Sequence, residues 1–160
     1  MLAVKLICVG KMREKFYSEA FSEYEKRLKA YCRFELCEIA EQRLSENPGA
    51  GEIGAALQKE AAEILKNIPS DAYAVALCVE GKQFPSEGMA QLIFERENSG
   101  KPKLCFIIGG SCGLHDSVKS RADRRLSMSE MTFPHHLARV MLAEQIYRGF
   151  KINEGSRYHK

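Results

Sequence analysis

Apolar and polar positions follow two alternating rhythms along this chain. Five short apolar runs read as strands: Leu2–Val9, Phe34–Ile39, Ala72–Val79, Lys103–Ile108 and Arg125–Met128. Between them the apolar spacing changes to three and four. Tyr17, Phe21, Tyr24 and Leu28 mark a first helix; Ile53, Leu57, Ala61, Ile64 and Leu65 mark a second over Gly51–Ile68, stopped by Pro69. Shorter helices are predicted over Ser86–Asn98 and Leu114–Ala122, and Glu41–Gly51, with Asn47, Pro48 and Gly49, reads as a loop. Strands separated by helices mean βαβ units. The expected fold is α/β, a mostly parallel sheet of five to six strands with helices on both faces, in one domain over residues 1–160.

The final helix breaks the pattern. Leu137, Val140, Met141, Ile146, Tyr147 and Phe150 do not fit one narrow stripe, whereas a surface helix needs only one apolar face. Arg139, Glu144 and Arg148 interrupt it, and buried charges need partners. This predicts a helix at a subunit interface that also carries a functional site.

Net charge changes the picture only when divided. The chain is +3, but residues 112–160 hold nine bases against five acids, and all four histidines lie there. A local excess of positive charge attracts polyanions. Arg124, Arg125, Arg139, Arg157 and Lys160 are the candidate phosphate contacts; a plain solvated basic face is equally open. The six cysteines form no CxxC pair, which argues against zinc and, with no disulfide framework, predicts reduced thiols in a cytoplasmic protein. The first apolar run has no basic segment ahead of it and reads as a strand, not a signal peptide. No run approaches membrane-spanning length. His135 and His136 are adjacent, point in different directions and have no third ligand at usable spacing, so no metal is expected.

Parallel sheets place ligands beyond the C-terminal ends of their strands. The segment Gly109-Gly110-Ser111-Cys112-Gly113 follows a strand and leads into a helix, a place where backbone can approach a ligand closely. Glu130 stands twenty residues after Gly110, the separation at which a dinucleotide-binding acid meets ribose. Met128–Phe133 offers two methionines, a phenylalanine and hydroxyls suited to an adenine or a thioether, with Thr132 a candidate helix cap.

With these residues the chain resembles the SPOUT-class ribosomal RNA methyltransferases, specifically the family that methylates N3 of a pseudouridine in large-subunit ribosomal RNA. The resemblance runs through Val9-Gly10-Lys11, Tyr24-Glu25-Lys26-Arg27-Leu28, Ile107–Ser111 with Gly113-Leu114, Leu126-Ser127, Met131–His135, Arg139, Glu144–Arg148 and Tyr158-His159. It implies a C-terminal trefoil knot, which general folding rules would have excluded. It implies S-adenosylmethionine as cofactor, with contacts carried over to Leu77, Gly109, Met128, Ser129, Glu130, Met131, Thr132 and Phe133. It implies a homodimer whose last helix and tail complete the site, acting on ribosomal RNA within the ribosome. For the transfer itself, His159 is the candidate general base, Tyr158 a group that stacks on or orients the substrate base, and Arg148 a stabiliser of developing negative charge. Two rivals stay open: a non-catalytic RNA- or ribosome-binding module, and a small dehydrogenase gripping NAD with Gly109–Gly113 and Glu130.

Overall fold

The computed structural model describes residues 1–160. Its strands are β1 (Ala3–Val9), β2 (Arg33–Ile39), β3 (Tyr73–Lys82), β4 (Lys103–Ile108) and β5 (Arg124–Leu126). Its helices are α1 (Lys15–Leu28), α2 (Ala50–Asn67), α3 (Ser86–Glu97), α4 (Asp116–Arg121) and α5 (His135–Asn153). The strands form one sheet in the order β2-β1-β4-β3-β5, and every ladder is parallel. The expected α/β class with five parallel strands is the one found.

Side chains alternate between two cores. Leu6 and Cys8 of β1, Phe106 and Ile108 of β4 and Val75 of β3 face the core under α1, α3 and α5. Ile7, Val9, Ile107 and Ala76 face the other, completed by Ile64 of α2 and Val118 of α4. Each inner strand is buried on both sides, so its sequence is a continuous apolar run instead of an alternation. The edges are different: Arg33 and Glu35 on β2, and Arg124 and Arg125 on β5, are exposed. Charge on an edge strand discourages pairing with another sheet.

The fifth strand is shorter and earlier than the expected Arg125–Met128. Its ladder to β3 shifts between Leu77 and Lys82, after which the Ser127 amide donates to the Lys82 carbonyl and the Ser127 hydroxyl to the Ser129 carbonyl. Those two bonds turn the chain out of the sheet. Gly81 is required at this crossing, because a Cβ there would lie 2.6 Å from the Leu126 carbonyl carbon.

Helix α5 packs against both α1 and α3. Every residue from His135 to Ile152 is at least partly buried. Gly149 allows the close approach to α3: a Cβ there would meet Ile93 Cδ1 at 2.7 Å. Two flanking helices and the sheet therefore account for much of the apolar circumference that the pattern assigned to a subunit interface.

Arg139 is corrected outright. Expected at an RNA surface, it has no exposed area at all. Nη1 donates to Glu38 Oε2 at 2.7 Å and Nη2 to the Gly10 carbonyl at 3.0 Å. Its guanidinium thus closes the C-terminal ends of β1 and β2 against α5, and no phosphate can reach it. Replacing it with alanine strands a carboxylate and a carbonyl. Glu38 keeps 30% of its side chain in water, so the loss should fall at or below the lower end of the roughly 3–5 kcal/mol that breaking a fully buried pair costs. Denaturant unfolding of Arg139→Ala should show it, and Arg139→Met should recover packing but not the polar contacts.

Candidate active site

Beyond the C-terminal ends of β3, β4 and β5 lies an open cleft of about 770 Å³. Its walls are the end of β3 (Leu77 to Glu80), the glycine loop Gly109–Gly113, the segment that leaves β5, and the first turn of α5. Of the eight residues expected to hold a cofactor, Leu77, Gly109, Met128, Ser129, Met131, Thr132 and Phe133 line this cleft together. Glu130 does not: it is exposed and takes no part in the wall. The dinucleotide-type spacing from Gly110 to Glu130 therefore has no counterpart in space, and the NAD reading loses its acid.

The glycine loop is tighter than a sequence motif suggests. A Cβ on Gly109 would lie 2.4 Å from the Gly113 carbonyl oxygen, and Gly113 itself has φ +80°. Glycine at 109 is thus demanded by the loop's own closure, which shapes the cleft floor. Thr132 caps nothing: Pro134 occupies the position before α5, and the Ala138 amide donates to its carbonyl.

Three further cleft residues had no binding role assigned from sequence. His135 lines the cleft with a buried Nε2 that has no hydrogen-bond partner. Burial, then the neighbouring His136, pushes its pKa down, so the ring is neutral. Its neighbour His136 instead meets Glu14 at 3.3 Å. Lys119 and Glu80 form an ion pair on the cleft wall, and the hydrogen bond from Lys119 holds the Glu80 carboxyl below its usual range. Their signal was placement alone, since one sits at a strand end and the other one turn into the helix after the glycine loop.

The three candidate catalytic residues also meet, but elsewhere. The tail folds back on α5, and none of its residues lines the cleft. Arg148 Nε and Nη2 donate to Glu144 Oε1 at 3.0 and 2.6 Å, and the guanidinium carbon sits 4.8 Å from the Tyr158 ring centroid. The Tyr158 hydroxyl donates to Glu144 at 3.1 Å; burial and this carboxylate push its pKa up to about 12, so it stays a phenol. Arg148 Nη1 lies 3.2 Å from His159 Nδ1, and His159 Nε2 lies 3.1 Å from Glu87 Oε1. Arg124, Arg125, Arg157 and Lys160 are exposed.

Comparison with known proteins decides among the readings. Residues 2–159 match the family described as "Predicted SPOUT methyltransferase". The chain belongs to the SPOUT methyltransferase family. Relatives named "Ribosomal RNA large subunit methyltransferase H" cover nearly all of it. The protein from Streptococcus uberis is 43% identical over 99% of this chain and 100% of its own length. That from Bacillus pumilus is 43% identical over 98% and 99%. Two solved structures share this fold at low identity. A probable methyltransferase from Bordetella pertussis Tohama I superposes with TM-score 0.60 at 12% identity, over 92% of this chain and 94% of that one. A probable methylase family protein from Haemophilus influenzae Rd KW20 gives 0.55 at 14%, over 100% and 72%. No helix is long and apolar enough to cross a membrane, and no cluster of His, Cys, Asp or Glu could hold a metal ion.

The cysteines allow a direct check of this SPOUT cleft. Burial pushes the thiols of Cys8, Cys32 and Cys105 up to about 12, whereas Cys112 is exposed on the glycine loop. Thiolate is the reactive form, so raised pKa and burial act together against the first three. Iodoacetamide at pH 8 should label Cys112 first and leave Cys8, Cys32 and Cys105 unmodified in the folded protein, as read by peptide mass spectrometry.

Proposed function

We propose that this chain is an S-adenosylmethionine-dependent methyltransferase of large-subunit ribosomal RNA that acts on N3 of a pseudouridine as a homodimer. The carrying observation is the convergence of seven expected cofactor residues on one cleft within a chain whose full-length relatives are named for that RNA. The cleft suits the cofactor. Its volume of about 770 Å³ is in the roughly 300–1,000 Å³ range of small-molecule sites. Leu77, Met128 and Phe133 offer apolar surface for an adenine, while the buried, unpartnered His135 Nε2 and the Lys119–Glu80 pair supply polar groups.

When bound, S-adenosylmethionine supplies a methyl group activated on a sulfonium. The chain's residues must align the acceptor nitrogen and remove its proton, and alignment alone carries much of such a rate. His159 takes the imide proton, Arg148 neutralises charge growing on a flanking carbonyl, and Tyr158 orients the base. Within one protomer these groups stand outside the cleft, which favours a site completed by the tail of a second copy. A concave apolar surface of about 540 Å³ between α1, α3 and α5, with Tyr24, Phe84 and Met141 on its walls, suits that second copy. Arg124, Arg125, Arg157 and Lys160 supply phosphate contacts to an RNA recognised by shape. A C-terminal trefoil knot belongs to the same reading, as does a place of action among cytoplasmic ribosomes.

Calorimetry should show binding of S-adenosylmethionine and none of NAD, with light scattering giving a dimer at micromolar concentration. Gly109→Ala should lose cofactor binding through distortion of the loop. Removing Tyr158, His159 and Lys160 should leave cofactor affinity intact and abolish methyl transfer. His159→Ala should lose roughly 10²–10⁴-fold in rate, less at alkaline pH where the imide ionises unaided. An undiminished rate in that variant at neutral pH would remove the base assignment.

A further inference from the structure

Neutral imidazole has one N–H and one lone pair, and the partner of each nitrogen decides which is which. Around His159 the choice is forced. Guanidinium only donates, so Nδ1, 3.2 Å from Arg148 Nη1, must be the acceptor. The proton is therefore on Nε2, and it points at the Glu87 carboxylate 3.1 Å away. Glu87 comes from the first turn of α3, a different element from the α5 and tail residues that make up the rest of the cluster. The charged groups bonded to the ring are Glu87 from α3 and Arg148 from α5; Glu144 of α5, which bonds Arg148 and the neighbouring Tyr158 of the tail, stands behind them.

We propose that Glu87 is a positioning residue for the transfer reaction: it holds His159 as the Nε2–H tautomer and so makes Nδ1 the proton acceptor. The inference rests on the methyltransferase reading above. It also explains the pairing with Arg148. Arg148 Nε and Nη2 are committed to Glu144, leaving Nη1 as the nitrogen turned to the histidine. Nη1 and Nδ1 are then a donor and an acceptor side by side. The imide edge of a uracil ring presents the complement, a carbonyl oxygen next to an N–H. An arriving base can exchange the Arg148–His159 hydrogen bond for two: Nη1–H to the carbonyl oxygen and N3–H to Nδ1. In the transfer, the N3 proton passes to Nδ1 and the nitrogen electron pair forms the new bond to methyl. The carbon–sulfur pair stays on sulfur, and the imidazolium keeps both N–H bonds. In the resting state Arg148 occupies the Nδ1 lone pair, so the base is shielded until an imide edge displaces it.

Glu87 keeps 64% of its side chain exposed, so its replacement leaves the core untouched. The test uses the full chain labelled with ¹⁵N in histidine, at a pH where the ring is neutral. Long-range proton–nitrogen spectra should show His159 mainly protonated on Nε2 in the wild type. Glu87→Ala should give a mixture of tautomers and lower kcat about tenfold, a loss well below that of a buried triad carboxylate. KM for S-adenosylmethionine should not change. Glu87→Gln, whose amide oxygen still accepts from Nε2–H, should restore the tautomer and most of the rate. His159 protonated on Nδ1 in the wild type, or a tautomer ratio indifferent to Glu87→Ala, overturns the proposal. So does a shifted tautomer with an unchanged rate. A wild-type protein that fixes the tautomer yet methylates no ribosomal RNA would instead refute the function proposed above, so the two failures are separable.

Discussion

A guanidinium without exposed surface sits where β1, β2 and α5 converge, and the geometry of the cleft descends from it. Arg139 reaches across to Glu38 and to the carbonyl of Gly10, groups that would otherwise end two strands without partners. By doing so it fixes the axial position of α5 relative to the sheet. His135, one turn earlier on the same helix, is thereby set on the cleft wall. The glycine loop after β4 packs beside the end of β1, where a Cβ on Gly110 would meet Val9 Cγ1 at 3.3 Å. One buried cation thus holds in register the helix that borders the cleft and the strand against which the glycine loop packs. Desolvating it is costly, and the compensation is specificity of placement more than stability.

Much of this was legible in the residues. The inner strands could be read because burial on both sides leaves an unbroken apolar signature, and α1 and α2 because Phe21, Leu28, Ala61 and Ile64 keep helical spacing toward one core each. The cleft was legible because parallel topology fixes where strand ends meet. What escaped was decided by contacts distant in sequence. Arg139 looks like any surface base until Glu38, 101 residues away, is seen beside it. Glu130 has the spacing of a ribose-binding acid, but spacing carries no direction, and the turn at Ser127 leaves it outside. The many-sided apolarity of α5 was correctly noticed and only partly explained, since α1 and α3 bury surface that a second subunit was expected to cover. Lys119, Glu80 and Glu87 belong to residue types that are usually solvated, so nothing local marked them.

Charge is organised differently in the cleft and in the tail cluster. The cleft is mostly apolar, with one ion pair and one neutral histidine. The tail cluster is a chain of charge-assisted bonds linking Glu87, His159, Arg148, Glu144 and Tyr158. A sequence end is ordinarily frayed; here Tyr158 rests edge-on against Tyr147, with ring centroids 5.0 Å apart, and beneath the Arg148 guanidinium. Aromatic contact and ionic contact together hold a segment that has no secondary structure of its own.

The strand order also governs when the sheet can exist. β1 is made first, yet in the finished sheet it lies between β2 and β4, and its pairing with β4 joins Ala3 to Lys103. Until the ribosome has released β4, β1 has one bare edge and β3 has no neighbour at all. Pairings of such sequence separation are slow to form, because loop closure must precede the contacts that reward it. For most of its synthesis the nascent chain therefore carries apolar strands with unpaired edges. The last helix adds its share only at the end, when Arg139 emerges to join a strand that was made some 130 residues before it.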